Sequence, residues 1–249
     1  MAVKLSPLRV RVFDSCRLRY RYQYVDRIRS RLRIADTAGS LVHRVLSDFY
    51  SKLTKPQRTA EKLLYLFDEG WEDLSPRYRQ MAGVDRLRSE SAAQLERFAR
   101  EQDLQANPFK VEAYFEAELA PSIVLFGRMD RVDEEPDRAL HIIDYKTGSQ
   151  PDEIDPGQLW LYAILVEENL QRPVSKGSFW FLEDGRTWTM DLPQQEKTRV
   201  REQILATVEE MQTVTDFPAT LGPHCGHCPY LHACEHRPEI MLHLESGDW

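Results

Sequence analysis

Long apolar stretches are absent from this sequence of 249 residues, in which the longest uninterrupted apolar run covers residues 159–166. A helix needs about 20 apolar residues to cross a bilayer, so the sequence predicts no transmembrane span. The opening residues Met-Ala-Val-Lys-Leu-Ser-Pro lack the apolar segment of a secretory signal, and we therefore expect a cytoplasmic location. A Gly-x4-Gly-Lys-Ser/Thr loop is also missing, which excludes a P-loop motor and leaves any unwinding to a partner.

Acidic residues outnumber basic ones, at 40 Asp and Glu against 33 Lys and Arg, which gives a formal net charge of −7. Over the whole chain, that balance argues against binding to nucleic acid. The charge is unevenly distributed, however, because residues 1–33 carry a net +8 and the remainder carries −15. Arginines beside tyrosines suit a single-stranded nucleic acid, with Arg17, Arg19 and Tyr20 as candidate contacts. A solvated, Arg-rich helix would have the same pattern.

Apolar periodicity predicts a helical region followed by a sheet. Helical spacing predicts helices over residues 37–53, 60–67 and 87–101. Alternation and turn residues then predict strands over 111–119, 122–132 and 139–147, a helix over 156–170, a hairpin of strands 176–182 and 187–192, and a helix over 194–214. We expect an α/β fold in which helices flank a mixed sheet. We expect one integrated domain made of four parts. These are a basic segment (1–36), a helical region (37–107), the core (108–214) and a cysteine-rich tail (215–249).

Two charged residues end the third predicted strand. Asp144 and Lys146 lie two positions apart, so a strand presents both on one face while Ile143 and Tyr145 point to the other. Charges at the end of an apolar strand are costly to bury unless they pair or hold a metal ion. Asp130, near the end of the preceding strand, can reach the same edge of the sheet. The pattern predicts either a structural Asp–Lys ion pair or an oxygen-ligand site for Mg²⁺ or Mn²⁺.

These residues belong to a longer series of motifs. The series is Gly39-x-x-x-His43, Glu112 in a strand, Gly127-x-x-Asp130-Arg131-x-Asp133, Ile142-Ile-Asp144-Tyr-Lys146-Thr-Gly148 and Gln158-x-x-x-Tyr162-Ala163. It resembles the RecB-type branch of the PD-(D/E)XK nucleases and follows that branch's motif order, with Met129 where the superfamily name has proline. The resemblance implies a restriction-endonuclease-like fold with a helical insertion.

The resemblance implies roles for the residues at the strand ends. Asp130, Asp144 and Lys146 would be catalytic, with Lys146 positioning or activating the attacking water. The divalent metal ion would be bound by His43, Asp130 and Asp144, and Tyr145 would offer a backbone carbonyl.

Further residues of the series have supporting roles. Glu112 is an additional acidic candidate, although Glu116 and Glu118 on the same strand are its rivals. Gln158 and Tyr162 share one face of the predicted helix, where they would contact DNA or support the metal site.

Only four cysteines occur in the sequence: Cys16 near the start, and Cys225, Cys228 and Cys234 near the end. Four thiolates can hold a [4Fe–4S] cluster or a tetrahedral Zn²⁺, whereas a reducing cytosol disfavours a disulfide. Zinc has a second available donor set, because histidines at positions 224, 227, 232 and 236 accompany the C-terminal cysteines.

The cysteine spacing is similar to that of the AddB-type nuclease domains and of the CRISPR-associated Cas-four type nucleases. Cys16-Arg-Leu-Arg-Tyr20 resembles the AddB-type opening, with Arg17 where proline is usual, and Cys225-x-x-Cys228-Pro229 resembles its close. The resemblance implies a structural [4Fe–4S] cluster that joins the N- and C-terminal segments. Zn²⁺ remains the alternative.

The motifs together predict a metal-dependent DNA nuclease, and specifically an exonuclease that acts on single-stranded ends. Its expected setting is DNA repair and recombination or CRISPR adaptation, with a helicase or a CRISPR-adaptation protein as partner. The alternative is a non-catalytic DNA-binding or scaffold subunit of a helicase–nuclease complex. The presence of Asp130, Asp144 and Lys146 favours catalysis, because a decayed nuclease would usually have lost one of them.

Overall fold

Six strands form one sheet, and helices pack on both of its faces. The computed structural model describes residues 3–30 and 33–249. The strands in these ranges are β1 (Val3–Leu5), β2 (Lys110–Ala120), β3 (Ile123–Glu134), β4 (Leu140–Lys146), β5 (Val174–Phe181) and β6 (Thr187–Asp191). The α-helices are α1 (Pro7–Ser15), α2 (Arg17–Tyr20), α3 (Ile34–Lys52), α4 (Ala60–Glu72), α5 (Pro76–Arg79), α6 (Val84–Glu101), α7 (Gly157–Leu170), α8 (Gln194–Thr213) and α9 (Arg237–Ser246).

The mixed α/β fold predicted from periodicity is confirmed. Each predicted strand corresponds to one of β2 to β6, and the predicted helices correspond to α3, α4, α6, α7 and α8, with ends that differ by a few residues. Sequence periodicity does not reveal β1 or the helices of the N-terminal segment. Three residues are too few to show alternation, and the arginines of α1 obscure its apolar face.

The sheet mixes parallel and antiparallel pairs around β3. β3 pairs antiparallel with β2 on one side, and with β4 and a parallel β1 on the other. β4 continues parallel to β5, and the β5–β6 hairpin completes the order β1-β3-β4-β5-β6. This topology places Asp130, which lies within β3, beside the C-terminal end of β4.

Two apolar clusters sandwich the sheet. The cluster on what we call the α7 side includes Leu125, Ile142 and Leu165, and the cluster on the α3 side includes Phe49 and Ile143. Ile142 and Ile143 are adjacent on β4 and almost fully buried in opposite clusters, as a strand buried on both faces requires. Burying an aliphatic side chain of this size contributes about 1.5–3 kcal/mol.

Side-chain alternation reverses in the middle of β2 and β3. On β2, Val111 packs against the α3-side cluster, whereas Phe115 packs against the α7-side cluster. On β3, Met129 belongs to the α7-side cluster, whereas the Arg131 guanidinium lies over rings of the α3 side. A regular strand would keep each of these pairs on one face.

The reversal occurs at Glu112 and Asp130. The pairs Val111↔Arg131 and Ala113↔Met129 place these two residues opposite each other, but they do not form a ladder pair of their own. The backbone of Glu112 has a φ of 47°, in the left-handed region that a non-glycine residue rarely adopts. We call this irregularity of the β2–β3 ladder the kink. At the kink, the carboxylates of Glu112 and Asp130 lie close to each other and point into neither apolar cluster.

The N-terminal helices pack against the C-terminal tail. Val12 and Phe13 bury their side chains against Phe217, and the Leu18 N–H donates to the Pro218 carbonyl over 3.3 Å. Arg17 forms an ion pair of 2.8 Å with Glu210 on α8. Contacts between residues about 200 positions apart in the sequence therefore join the N-terminal helices to the C-terminal tail.

None of the helices in the described ranges combines the length and the apolar character needed to cross a membrane.

Candidate active site

Three potential metal ligands from three different elements meet at the kink. His43 of α3, Glu112 of β2 and Asp130 of β3 place one ligand atom each within 4.8 Å of the other two. We call this group the trio. Within residues 3–30 and 33–249, it is the only group of three such side chains with this spacing.

Asp130 is fixed at both of its carboxylate oxygens. Its Oδ1 lies 3.0 Å from Nδ1 of His43, and its Oδ2 accepts a hydrogen bond of 2.8 Å from the backbone N–H of Tyr145. Gly39 permits the close approach of α3, because a Cβ atom at that position would lie 3.2 Å from Oγ1 of Thr147. The motif glycine and the β4 backbone thus hold the ligand atoms in place before any cation binds.

The pKa values in the trio reflect crowded negative charge. Burial raises the pKa of Glu112, and the nearby charge of Asp130 raises it further, against the opposing effects of His43 and Arg128. Burial alone would lower the pKa of His43, but the hydrogen bond and charge of Asp130 outweigh it and raise that pKa. A cation bound between the two carboxylates would relieve their repulsion.

A second network holds the charged end of β4. Nζ of Lys146 lies 2.6 Å from Oδ2 of Asp144 and donates to Oε1 of Gln158 over 2.7 Å. Nε2 of Gln158 donates to Oδ1 of Asp144 over 2.7 Å and to the hydroxyl of Tyr162 over 3.0 Å. Gln158 and Tyr162 share one face of α7, as helical spacing predicts, and both contribute to the arrangement of the ion pair.

Asp144 is the most deeply buried carboxylate of the site, at 5% exposed. Burial raises its pKa to about 6, although the ion pair with Lys146 opposes the rise. The charge of Asp130 adds to the rise, and Asp130 also accepts a hydrogen bond from the backbone of Tyr145, the residue next to Asp144. The two groups therefore form a single site.

Gly127 allows α7 to lie against β3. A Cβ atom at Gly127 would be 2.8 Å from Cε1 of Tyr162, closer than side chains can pack. Any larger residue would displace the Tyr162 ring and, with it, the partner of Gln158. Gly127 of the Gly-x-x-Asp motif on β3 thus allows α7 to pack closely, and α7 in turn positions the β4 network.

The predicted metal ligands differ from the observed trio in two respects. Glu112, which the sequence offers only as an additional acidic residue, lies within the trio, whereas Asp144 lies beside it in the Lys146 network. The side chain of Tyr145 is buried on the α3 side, and its backbone N–H holds Asp130. A carbonyl contribution from Tyr145 stays a prediction. The pairing of β2 with β3 identifies Glu112 over its rivals, and the sequence pattern did not reveal that pairing.

The N-terminal candidates for nucleic-acid contact are engaged within the protein. Tyr20 is 2% exposed, and its hydroxyl accepts a hydrogen bond of 2.8 Å from Arg9, so its ring has no free face for a base. The Arg17 guanidinium lies 3.3 Å from the centre of the Phe13 ring. Arg19 is partly buried, with its Nε atom enclosed. Much of the arginine–tyrosine pattern therefore reflects internal packing, which corrects the expectation for Tyr20.

The four cysteines line one pocket where the N-terminal helices meet the tail. Burial raises the pKa of Cys225 and of Cys234, and the neighbouring thiolates add to both shifts. No three of the cysteine and histidine donors in the described part of the chain lie within 4.8 Å of one another. The thiols thus converge without forming the compact donor group of a single tetrahedral ion.

Two grooves border the site. The wide groove, of about 1070 Å³, includes Lys146 and Gln158 in its lining, and the narrow groove, of about 720 Å³, includes His43 and Glu112. Arg128 lines both grooves, and its side chain lies 3.7 Å from Glu112. A polymer could therefore extend from the reacting centre in two directions.

A protein-family model for the PD-(D/E)XK nuclease superfamily matches residues 4–235. The chain belongs to the PD-(D/E)XK nuclease superfamily. Superfamily members are typically nucleases that use divalent metal ions, and the trio provides an acidic group suited to one. Among solved structures, one reported as "Crystal structure of SSO0001" has 13% sequence identity and a TM-score of 0.39, over 81% of this chain and 97% of that chain. A similarity this weak supports no conclusion about the fold or the function of this chain. No curated protein matches the chain.

The raised pKa of Asp144 predicts a pH-dependent stability in this PD-(D/E)XK protein. Because its pKa is higher in the folded protein than in the unfolded chain, its stabilising contribution is complete at low pH and is lost as the pH rises through about 6. In metal-free buffer, the free energy of unfolding should fall more steeply for the wild type than for Asp144→Asn between about pH 4 and pH 7. Urea titrations at each pH measure the difference, and equal slopes would contradict the assignment.

The trio predicts that Glu112→Gln weakens Mn²⁺ binding. Loss of a metal ligand should cost at least the roughly 10- to 100-fold that removal of an outer partner costs. Glu116→Gln is the matched control, because Glu116 lies on the same strand, is exposed and is not in the trio. Calorimetric titration of Mn²⁺ should separate the two variants. Equal affinities would exclude Glu112 as a ligand.

Proposed function

We propose that this protein is a Mg²⁺- or Mn²⁺-dependent deoxyribonuclease of the RecB type that degrades single-stranded DNA from its ends. The observation that carries the proposal is the trio, placed beside the Lys146–Asp144 pair and between two open grooves. A structural ion pair alone would account for Lys146 and Asp144, but it would leave the convergence of His43, Glu112 and Asp130 unexplained.

The donor set suits a hard divalent cation. Two carboxylates with one imidazole match Mg²⁺ or Mn²⁺ better than the sulfur-rich sets of softer metals. We assign His43, Glu112 and Asp130 as the main ligands and retain Asp144 as a fourth. When bound, the cation supplies Lewis-acid stabilisation of the charge that develops on the phosphodiester.

Lys146 is positioned to act on the attacking water. Its ammonium lines the wide groove and is held by Asp144 and Gln158, so its orientation is set by the protein and not by solvent. An oriented ammonium can hold the water and stabilise the anionic phosphoryl oxygens as the bond to the leaving oxygen breaks. Gln158 and Tyr162 position Lys146 and Asp144 in this proposal.

The wide groove supports a single-stranded substrate. Tyr114 is 51% exposed and lies beside Phe126, with ring centres 6.2 Å apart, and Trp160 lines the same groove. Aromatic faces next to a cationic site suit unpaired bases, because stacking does not depend on the base. We propose these rings, in place of Tyr20, as the principal stacking surface. Of the N-terminal residues, Arg17 and Arg19 remain secondary candidates for phosphate contact.

We further propose that Cys16, Cys225, Cys228 and Cys234 bind a structural [4Fe–4S] cluster. All four line one pocket, which supports a shared site. A tetrahedral Zn²⁺ with bonds of about 2.3 Å needs its donors close together, whereas a four-iron core spaces its thiolates further apart. The shared pocket of the four cysteines and the motif resemblance support the proposal of the larger group. It would join the four sequence segments into one nuclease domain.

The biological setting follows from the motif resemblance. We propose a role in DNA repair and recombination or in CRISPR adaptation, with a helicase or an adaptation protein providing the single strand. The complete set of Asp130, Asp144 and Lys146 favours a catalytic subunit over a scaffold.

Lys146→Ala should abolish DNA cleavage while the fold and DNA binding persist. Removing a group that acts on the reacting water lowers kcat by roughly 10²- to 10⁴-fold. Lys176→Ala is the control, because Lys176 lies on β5 and pairs with Glu135, away from the trio. Time courses on end-labelled single- and double-stranded DNA with Mn²⁺ measure the rates and the polarity. Full activity of Lys146→Ala would refute the catalytic assignment.

The cysteine site predicts a brown, iron-containing protein after anaerobic purification. Iron and sulfide analysis with visible absorbance should give about four irons per chain, and Cys234→Ala should lose them together with thermal stability. A colourless protein loaded with zinc would overturn the cluster and support the zinc alternative.

A further inference from the structure

A further cavity lies beside the cysteine-rich tail. We call it the tail pocket; it has a volume of about 240 Å³. Its charged or ionisable side chains are Arg33, His227, Cys228, His232 and Arg237, without a carboxylate. The protein as a whole is acidic, whereas the two arginines give this cavity a local positive charge. Guanidinium and imidazole N–H groups in such a setting suit an oxyanion, and phosphate above all.

The tail pocket is joined to the active site through a shared arginine. Arg33 lines both the tail pocket and the narrow groove, which contains His43 and Glu112. Arg128 in turn lines both the narrow groove and the wide groove. The three cavities therefore follow one another across the molecule, with an arginine at each junction.

The groups in the tail pocket are available to a ligand. Arg237 forms no ion pair with a described carboxylate. Arg33 pairs with Asp36 over 3.0 Å, but both side chains are exposed, and a phosphate can compete with so weak a pair.

We propose that a nucleic-acid strand bound at the active site continues through the narrow groove, passes Arg33 and places a backbone phosphodiester in the tail pocket. The proposal rests on the proposed function, because it assigns a further contact to the same substrate. It identifies Arg33 and Arg237 as phosphate-binding residues remote from the reacting centre. Affinity for DNA should then depend on the length of the strand.

Salt-dependent binding tests the proposal. The probes are oligothymidines of increasing length with hydroxyl groups at both ends, so that every phosphate is a diester. Affinities are measured in the Lys146→Ala background, with and without Arg33→Gln and Arg237→Gln together. For a single strand, log K falls with log salt by about 0.7 per phosphate contact, so loss of two contacts should reduce the slope by about 1.4. The reduction should occur only with oligomers long enough to reach the tail pocket.

Two variants control for charge and structure. Arg237→Lys keeps the cation and should retain the full slope, whereas Arg100→Gln removes an exposed arginine of α6 that lines none of the three cavities and should also retain it. Iron and zinc contents, with circular dichroism, verify that each variant keeps its fold and metal. A slope that is unchanged at every length, or reduced equally for the shortest oligomers or by Arg100→Gln, would overturn the proposal.

The same proteins distinguish this proposal from the proposed function. If the otherwise unmodified protein cleaves no DNA with Mn²⁺ but the length-dependent change in slope is found, the nuclease function fails while the tail pocket stands. If cleavage is found without that change, the nuclease function stands and the tail pocket fails.

Discussion

The carboxylate of Asp130 connects α3, β2 and β4 at the candidate active site. It contacts His43 from the α3 side and the β4 backbone at Tyr145, and it lies opposite Glu112 on β2. A regular strand would direct Asp130 and Glu112 into one apolar cluster or the other. The reversal of side-chain alternation keeps both carboxylates out of the apolar clusters and places them in the trio, next to the narrow groove.

That arrangement has an energetic cost that the surrounding packing must offset. The left-handed backbone of Glu112 costs about 1–3 kcal/mol, and burial of Asp144 disfavours its charged form. Fully buried side chains such as Ile142 and Phe49 flank the site on both faces and fix the strands. A rigid core thus maintains a group of charges that would separate in a looser structure.

The sequence placed Asp144 and Lys146 side by side because two-residue periodicity and motif order are local properties. Asp144, Lys146 and Asp130 were identified in this way, and His43 followed from the resemblance. The role of Glu112 depends on the register between β2 and β3, and the burial of Tyr20 depends on contacts with a distant segment. Long-range pairing of this kind leaves no periodic signal, so composition gave Tyr20 a surface role that packing excludes.

The packing of the N-terminal helices on the tail has a consequence for the order in which the protein folds. Val12, Phe13 and Leu18 are synthesised about 200 residues before their partners near Phe217 and Tyr230. Until then these apolar side chains lack their native cover, and contacts so distant in sequence form slowly. The fold therefore cannot be completed before the segment that contains Phe217 and Tyr230 has been synthesised, and the cysteine pocket cannot assemble before then.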